Sequence, residues 1–302
     1  NIKLPTATYE LSIQPGSNLK QISQQLANAG IIPSQWTFII LARYLNHESA
    51  IKAGDYELTG NLSQIALLDY LIKGNAKQNE IKFIEGWTFA QIRKVLNEHP
   101  AIEYKSAGLS DQQILQHIGA SETAVEGIFF PDTYYFIKGS SDLDILQRAY
   151  KTMQNHLQNY WSERVESLPL NTPYEALILA SIIEKETGAE SDRAEIAGVF
   201  INRLRKGMKL QTDPTVIYGL GEQFDGNLRK KDLLADQEYN TYTRAGLPPT
   251  PISLPSLASI RAALNPAETD ALYFVAKGNG ESEFSTNLAD HNKAVNKYQK
   301  QQ

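Results

Sequence analysis

The chain has 302 residues, 42% of them hydrophobic and 21% charged, with a formal net charge of −5. That balance describes a folded, core-forming protein of about two compact units, and it argues against a nucleic-acid binder, whose surface carries a basic stripe. Cysteine is absent, which removes disulfides and thiolate metal sites, and no apolar run reaches the length that crosses a bilayer.

Residues 8–13 alternate as a half-buried strand does and stop at Pro15-Gly16. Ser17 is placed to cap a helix through Leu19, Ile22, Leu26 and Ala29 that Gly30 ends. A second helix is predicted after Ser34, with Trp36, Ile39, Ile40 and Tyr44 facing inward, and residues 54–58 read as a return strand. Residues 62–72 form an amphipathic helix closed by Gly74 in Lys73-Gly74-Asn75. A strand over 81–84 leads into the Glu85-Gly86 turn, and Thr88 caps a helix with Ile92, Val95 and Leu96 on one face. Strand followed by capped helix thus occurs twice, over 10–26 and 82–96, which points to an internal duplication. A longer helix is predicted over 142–161, and the turn-rich segment 168–173 precedes a central apolar helix. Beyond it come helices over 195–206, 257–263 and 288–298. A hairpin pairs 272–276 with 283–285 around Gly278-Asn279-Gly280. The predicted class is α+β, with a small unit over 1–79 and a larger mixed one over 80–302.

The central run from Leu177 to Gly188, LILASIIEKETG, is apolar on nearly every face and so predicts a buried helix. With Gly188 as its stop, Glu184 and Glu186 fall in the last turn. A carboxylate there faces the negative end of the helix dipole and loses water, and both effects favour its protonated form. A carboxyl that keeps its proton near neutral pH is what a general acid requires. At about 100° per residue the two glutamates project to nearly opposite sides, so they are not a side-by-side pair. Glu186 stacks over Leu179, Ile182 and Ile183, a greasier face than that of Glu184 over Leu177, Ala180 and Ser181. The competing reading is structural, with both glutamates ending a helix and paired to Lys185 or Arg193.

Other chemistries find little support. The histidines, at 47, 99, 117, 156 and 291, are scattered without ligand spacing, and His-Glu-x-x-His does not occur. Gly-x-Ser-x-Gly is absent too, and Gly219-Leu220-Gly221 lacks the third glycine of a dinucleotide loop. Carboxylate acid–base chemistry remains. Glycoside hydrolysis ordinarily uses two carboxyl groups. Asp213, Glu190 and Asp192 are the second candidates, though no spacing forces any of them beside Glu186. Asn202 and Arg203 are either polar site residues or the exposed end of a helix, the structural reading being preferred, and Asp213-Pro214 reads as a turn start.

An ordered series of motifs adds to this. It begins upstream with Glu85-Gly86, Glu126-Gly127 and Phe130-Pro131-Asp132-Thr133, and continues through residues 180–221, ASIIEKETGAESDRAEIAGVFINRLRKGMKLQTDPTVIYGLG. Tyr239-Asn240-Thr241-Tyr242, Gly246-Leu247-Pro248-Pro249, Tyr273-Phe274-Val275-Ala276, and Asn287-Leu288 with His291-Asn292 follow. The series resembles the MltG (YceG-like) family of endolytic murein transglycosylases over most of the chain. Glu186-Thr187 also resembles the Glu-Ser of lysozyme-like lytic transglycosylases, which implies Glu186 as the catalytic acid. Gln211, Asp213, Tyr239, Asn240 and Tyr242 lie in matched motifs, and their amide, carboxylate and phenol groups suit sugar recognition. The resemblance implies peptidoglycan glycan strands as substrate, peptidoglycan synthases as neighbours, no cofactor and no metal. It further implies an extracytoplasmic body at the bacterial inner membrane, held by an N-terminal anchor that would precede Asn1. Within 1–79 the strand–helix–helix–strand order resembles a LysM module, a small fold that binds N-acetylglucosamine-containing glycans. The same order also serves as a packing or spacer subdomain in other folds. The alternatives from other classes are a non-catalytic glycan-binding scaffold and a hydrolytic muramidase.

Overall fold

Strand β1 (Thr8–Ile13) runs antiparallel to β2 (Gly54–Thr59), in register from Thr8 opposite Thr59 to Ile13 opposite Gly54. Between them lie α1 (Leu19–Asn28) and α2 (Gln35–Tyr44), so the strand–helix–helix–strand order is present. The structure, a computed structural model, describes residues 2, 4–14, 16–60, 62–74 and 79–299. Pro15 and Asn75, which the sequence marks as turn residues, lie outside the described residues.

Two local expectations are corrected here. Asn18, not Ser17, caps α1: its Oδ1 accepts the Gln21 N–H at 3.0 Å, and the Gln21 side chain accepts the Asn18 N–H at 2.8 Å. This reciprocal box needs a Gln or Glu three residues on, and only Asn18 has one. In α2 the buried residues are Phe38, Ile39 and Ala42, while Trp36, Ile40 and Tyr44 are 60%, 65% and 83% exposed. A helix apolar on most sides gives its periodicity little power to choose the inward face.

Helix α3 (Gln64–Lys73) starts on the Ser63 cap and ends at Gly74, whose φ of 73° is the left-handed conformation that glycine adopts without penalty. The core around the β1–β2 pair is built from Leu11, Ile13, Leu26, Phe38, Leu58 and Leu71. Tyr56 is buried in it, with its hydroxyl donating to the Lys52 carbonyl at 2.6 Å. Two short pairings follow. Strand β3 (Asn79–Lys82) joins β5 (Thr133–Phe136), and β4 (Ile102–Glu103) runs parallel to β6 (Ser140–Ser141). Helices α4 (Phe89–Glu98), α5 (Asp111–Ile118) and α6 (Asp142–Ser162) complete this part. The chain divides into two compact units, residues 1–81 with 96–105 and 133–145, and residues 82–95 with 106–132 and 146–302.

The second unit is organised on α7 (Pro173–Glu186), in which every residue from Ala176 to Ile183 is buried. Thr172 caps it by accepting the Glu175 N–H at 3.2 Å, and Pro173 fits the first turn because its missing N–H has no partner there in any helix. Gly188 is not its stop. Thr187 turns extended at φ −144°, and its hydroxyl oxygen accepts the Ala189 N–H at 2.9 Å. The helix still ends at Glu186, so both glutamates lie in its last turn, but Thr187 rather than Gly188 caps it. Helix α8 (Glu190–Arg205) follows at once, a turn earlier than its periodicity indicates. Asp213-Pro214 opens α9 (Asp213–Leu220) rather than a turn, with proline again in the first turn. Then come α10 (Lys230–Leu234), α11 (Leu257–Leu264), the antiparallel hairpin of β7 (Tyr273–Ala276) with β8 (Ser282–Ser285), and α12 (Leu288–Tyr298). Helices carry most of the regular structure around small sheets, and the fold class is α+β.

Candidate active site

Glu186 is the last residue of α7, and its side chain meets the start of α9 across a cavity of about 460 Å³. Arg203, Gln211, Asp213, Tyr242, Tyr273 and His291 share the wall of that cavity. The Thr212 hydroxyl donates a short hydrogen bond to Glu186 Oε1. Thr212 is held in turn from behind. Its N–H donates to Thr241 Oγ1 at 3.1 Å, and the Gln211 N–H donates to the Thr241 carbonyl at 3.1 Å. Thr215 Oγ1 closes the turn by donating to the Thr212 carbonyl at 2.8 Å. Gln211 sits at φ 49°, left-handed for a residue with a Cβ, which costs of order 1 kcal/mol and is paid by those flanking bonds.

The electrostatics follow from this placement. Burial pushes the Glu186 carboxyl up to about 7, and Asp213 adds to the rise. The Thr212 hydrogen bond and the Arg203 charge pull it back. Arg203 is itself anchored, its Nε donating to the Leu272 carbonyl at 2.7 Å and its Nη1 to the Leu210 carbonyl at 2.6 Å. It is buried, not at an exposed helix end as expected, and serves both the fold and the cavity wall. Asn202 is structural, with its amide donating to the Thr269 and Ala271 carbonyls. The Tyr242 hydroxyl donates to Asp213 Oδ1 at 2.5 Å, and burial raises that phenol above its ordinary range.

Glu184 is occupied elsewhere. Its Oε2 accepts from the Ser256 N–H at 2.9 Å, the Ser256 hydroxyl at 2.5 Å and the Ser259 hydroxyl at 2.7 Å. It closes the N-terminus of α11, a place where negative charge is favoured. Lys185 donates to the Gly86 carbonyl and pairs with neither glutamate. Glu190 is exposed at the start of α8, while Asp192 is buried and accepts the Ser282 N–H at 2.5 Å. Neither lines the cavity.

Of the sequence-predicted residues, Glu186, Gln211, Asp213 and Tyr242 come together, whereas Tyr239 and Asn240 lie outside this cavity. The Tyr239 hydroxyl is 2.8 Å from Thr250 Oγ1, and its ring meets Tyr218 edge-on at 4.8 Å. Asn240 is fully buried, donating to the carbonyls of Asp232, Leu233 and Ala235 while its Oδ1 accepts the Tyr242 N–H at 2.8 Å. It shapes the loop that delivers Tyr242. Thr212, Tyr273 and His291 are wall or contact residues that the sequence reading does not assign, although each stands in a quoted motif. A second buried carboxyl, Glu126, is also pushed up to about 7 by burial, and accepts from the Phe89 N–H at 3.0 Å and the Tyr218 hydroxyl at 3.2 Å.

Comparison with known proteins bears on this arrangement. The sequence pattern of the YceG-like family matches residues 11–297. The chain is 34% identical over 309 residues to a protein of Bacillus subtilis (strain 168) named endolytic murein transglycosylase, a match covering 96% of this chain and 85% of that one. A protein of the same name from Streptococcus pneumoniae serotype 2 is 29% identical over 319 residues, covering 94% of this chain and 57% of that one. Among solved structures, a crystal structure of a yceG-like protein from Listeria monocytogenes superposes with a TM-score of 0.61 at 31% identity. That match covers 95% of this chain and 98% of the other.

Proposed function

The chain belongs to the YceG-like family, and from that premise we propose that it is an endolytic lytic transglycosylase of peptidoglycan in which Glu186 is the acid and then the base. The observation that carries the proposal is the Glu186 carboxyl, pushed up to about 7 on the wall of an open cavity. A group ionising there holds a transferable proton at neutral pH and still accepts one back.

Glu186 gives its proton to the oxygen joining N-acetylmuramic acid to N-acetylglucosamine. The bond from the muramyl C1 to that oxygen breaks, and the bonding pair leaves with the oxygen. Positive character at C1 is relieved as the same sugar's C6 hydroxyl oxygen bonds to it, assisted by the N-acetyl group. The Glu186 carboxylate takes the C6 hydroxyl proton, the 1,6-anhydro ring closes, and no water is consumed. Thr212 holds Oε1, which leaves Oε2 for the proton in both steps, and its hydroxyl stabilises the carboxylate that exists between them. Gln211, Asp213 and Tyr242 hold the strand in the cavity. Tyr239 and Asn240 act on it through the loop they order. The same proposal gives residues 1–79 a LysM-like grip on the glycan, supported by their strand–helix–helix–strand order. It also gives the protein a place at the outer face of the inner membrane, beside peptidoglycan synthases. Among the described residues no helix is long and apolar enough to cross a membrane.

Uncrosslinked peptidoglycan with wild type and Glu186→Gln is the test. The wild type releases strands ending in 1,6-anhydro-N-acetylmuramic acid, lighter by one water than hydrolytic ends, and Glu186→Gln releases none. Reducing muramic ends would make the protein a muramidase, with Asp213 as the second carboxyl in the same cavity. No new ends from the wild type would leave a glycan-binding scaffold.

A further inference from the structure

His291 lines the Glu186 cavity, and none of its ring hydrogen-bonding capacity is used by the described residues. It sits in the first turn of α12, on a helix that Asn287 caps by accepting the Asp290 N–H at 3.0 Å. Its ring lies nearly flat on Tyr273, with centroids 5.2 Å apart and planes at 25°, and the Arg203 guanidinium stands 5.2 Å from the same Tyr273 ring. The imidazole is therefore held in place by packing. Its Nδ1 is buried with no partner, whereas Nε2 keeps contact with solvent.

The tautomer follows from that asymmetry. A protonated Nδ1 would bury an N–H with no acceptor, and a fully charged ring would add a second positive charge near Arg203. Both burial and Arg203 lower the affinity of this ring for a second proton. At neutral pH the ring is neutral, with its proton on Nε2. It presents one uncharged N–H donor in a cavity whose wall also contains the apolar side chains of Ala276, Leu288 and Val295. The Arg203 guanidinium already donates to two backbone carbonyls. A neutral donor among apolar groups suits a group that is half carbonyl and half methyl.

Building on the proposed glycan chemistry, we propose that His291 is a specificity residue that donates from Nε2 to the carbonyl oxygen of a sugar acetamido group, whose methyl packs against the apolar wall. The lactyl carbonyl of the muramyl group offers the same kind of oxygen, but its methyl sits one carbon further away and its amide continues into the stem peptide, so the two sources are separable.

Binding is measured by calorimetry on intact glycan strands in the Glu186→Gln background, which reads recognition apart from cleavage. His291→Phe keeps a stacking ring and removes the donor, while His291→Gln places an amide N–H near the position of Nε2. With N-acetylated strands, His291→Phe weakens binding about tenfold and His291→Gln stays within about threefold. With de-N-acetylated strands, all three proteins bind alike. Removing stem peptides with an amidase leaves the ratio between variants unchanged. In the active protein the same change raises KM and leaves kcat nearly as it was. Unaltered thermal stability of His291→Phe separates this role from a structural one, because the lost ring nitrogen was unpartnered. Independently of any substitution, N-acetylated strands shift the His291 Nε2 resonance in an NMR titration and de-N-acetylated strands do not. Equal binding of N-acetylated strands by His291→Phe and its parent, or a loss independent of acetylation, overturns the proposal. So does an unmoved Nε2 resonance. Cleavage by wild type is scored beside these measurements, so failure of the transglycosylase reading registers separately.

Discussion

Replacing Glu186 with glutamine should remove a pH dependence from folding as well as the catalytic proton. In the unfolded chain this carboxyl ionises near its ordinary 4.5, and in the folded protein near 7. Between those values the folded state holds a proton that the unfolded state has released. The stability this group contributes is therefore whole below pH 4.5 and is lost as the pH rises through 7. The rise from 4.5 to about 7, at about 1.4 kcal/mol per pH unit, corresponds to roughly 3 kcal/mol. The side chain opens onto a cavity that admits water, so a measured value of about 2 kcal/mol is expected. Urea unfolding of wild type and Glu186→Gln at pH 5 and pH 8 gives the number as a difference of differences. Glu126, also pushed up to about 7, is present in both proteins and cancels. Glutamine should be close to neutral or slightly destabilising at pH 5 and should gain about 2 kcal/mol relative to wild type at pH 8. If the two proteins keep the same difference at both pH values, the carboxyl is not desolvated. It would then have no proton to give at neutral pH, and the acid role would fail with it.

Thr212→Val removes the hydroxyl that favours the ionised carboxylate, so the alkaline limb of the kcat profile should move up by about 0.7 pH units, from about 1 kcal/mol of hydrogen bond. An unmoved limb would detach Thr212 from the proton transfer. Glu184→Gln keeps one oxygen for the Ser256 N–H and the two serine hydroxyls but removes the charge that strengthens those bonds at the N-terminus of α11, which should destabilise by about 1–3 kcal/mol in urea melts while cleavage persists. A folded but inactive Glu184→Gln would reverse the choice between the glutamates. Asn240→Ala takes the amide partner from three part-buried carbonyls and from the Tyr242 N–H, so a loss of about 1–3 kcal/mol is expected, read by the same melts.

Where the determinants are local, the sequence is close to sufficient. The strand over 8–13, read from alternation, and the helix over 288–298 are both present at those bounds. Where two local signals are equivalent, it is not. Proline after an acidic residue suits a turn and a helix start equally, and only the packing of α9 beside α7 resolves Asp213-Pro214. Ser110 with Gln113 is a legible capping box, and α5 behind it is an element the periodicity reading passes over. The site divides in the same way. Glu186 is a candidate from one helix, because burial and position in the last turn are properties of that helix, and the motif resemblance then selects it. Thr212 bonds Glu186, and Tyr273 and His291 share its cavity wall, from parts of the chain distant in sequence, and nothing in their own neighbourhoods says so.

If Glu186 alone gives and regains the proton, as proposed, the restraint around it has a reason. An acid that must give and then regain one proton works best when neither form is strongly preferred at the working pH. Burial alone would fix Glu186 as the neutral acid and make the returning proton the slow step. The Thr212 hydroxyl and the Arg203 charge oppose burial, and they leave the group near 7 rather than higher. Both opposing groups are locked by the backbone, Thr212 through Thr241 and Arg203 through the Leu210 and Leu272 carbonyls. In the proposed mechanism neither has to reorganise when the charge on Glu186 changes between the two proton transfers, and that preorganisation would let one residue take both roles.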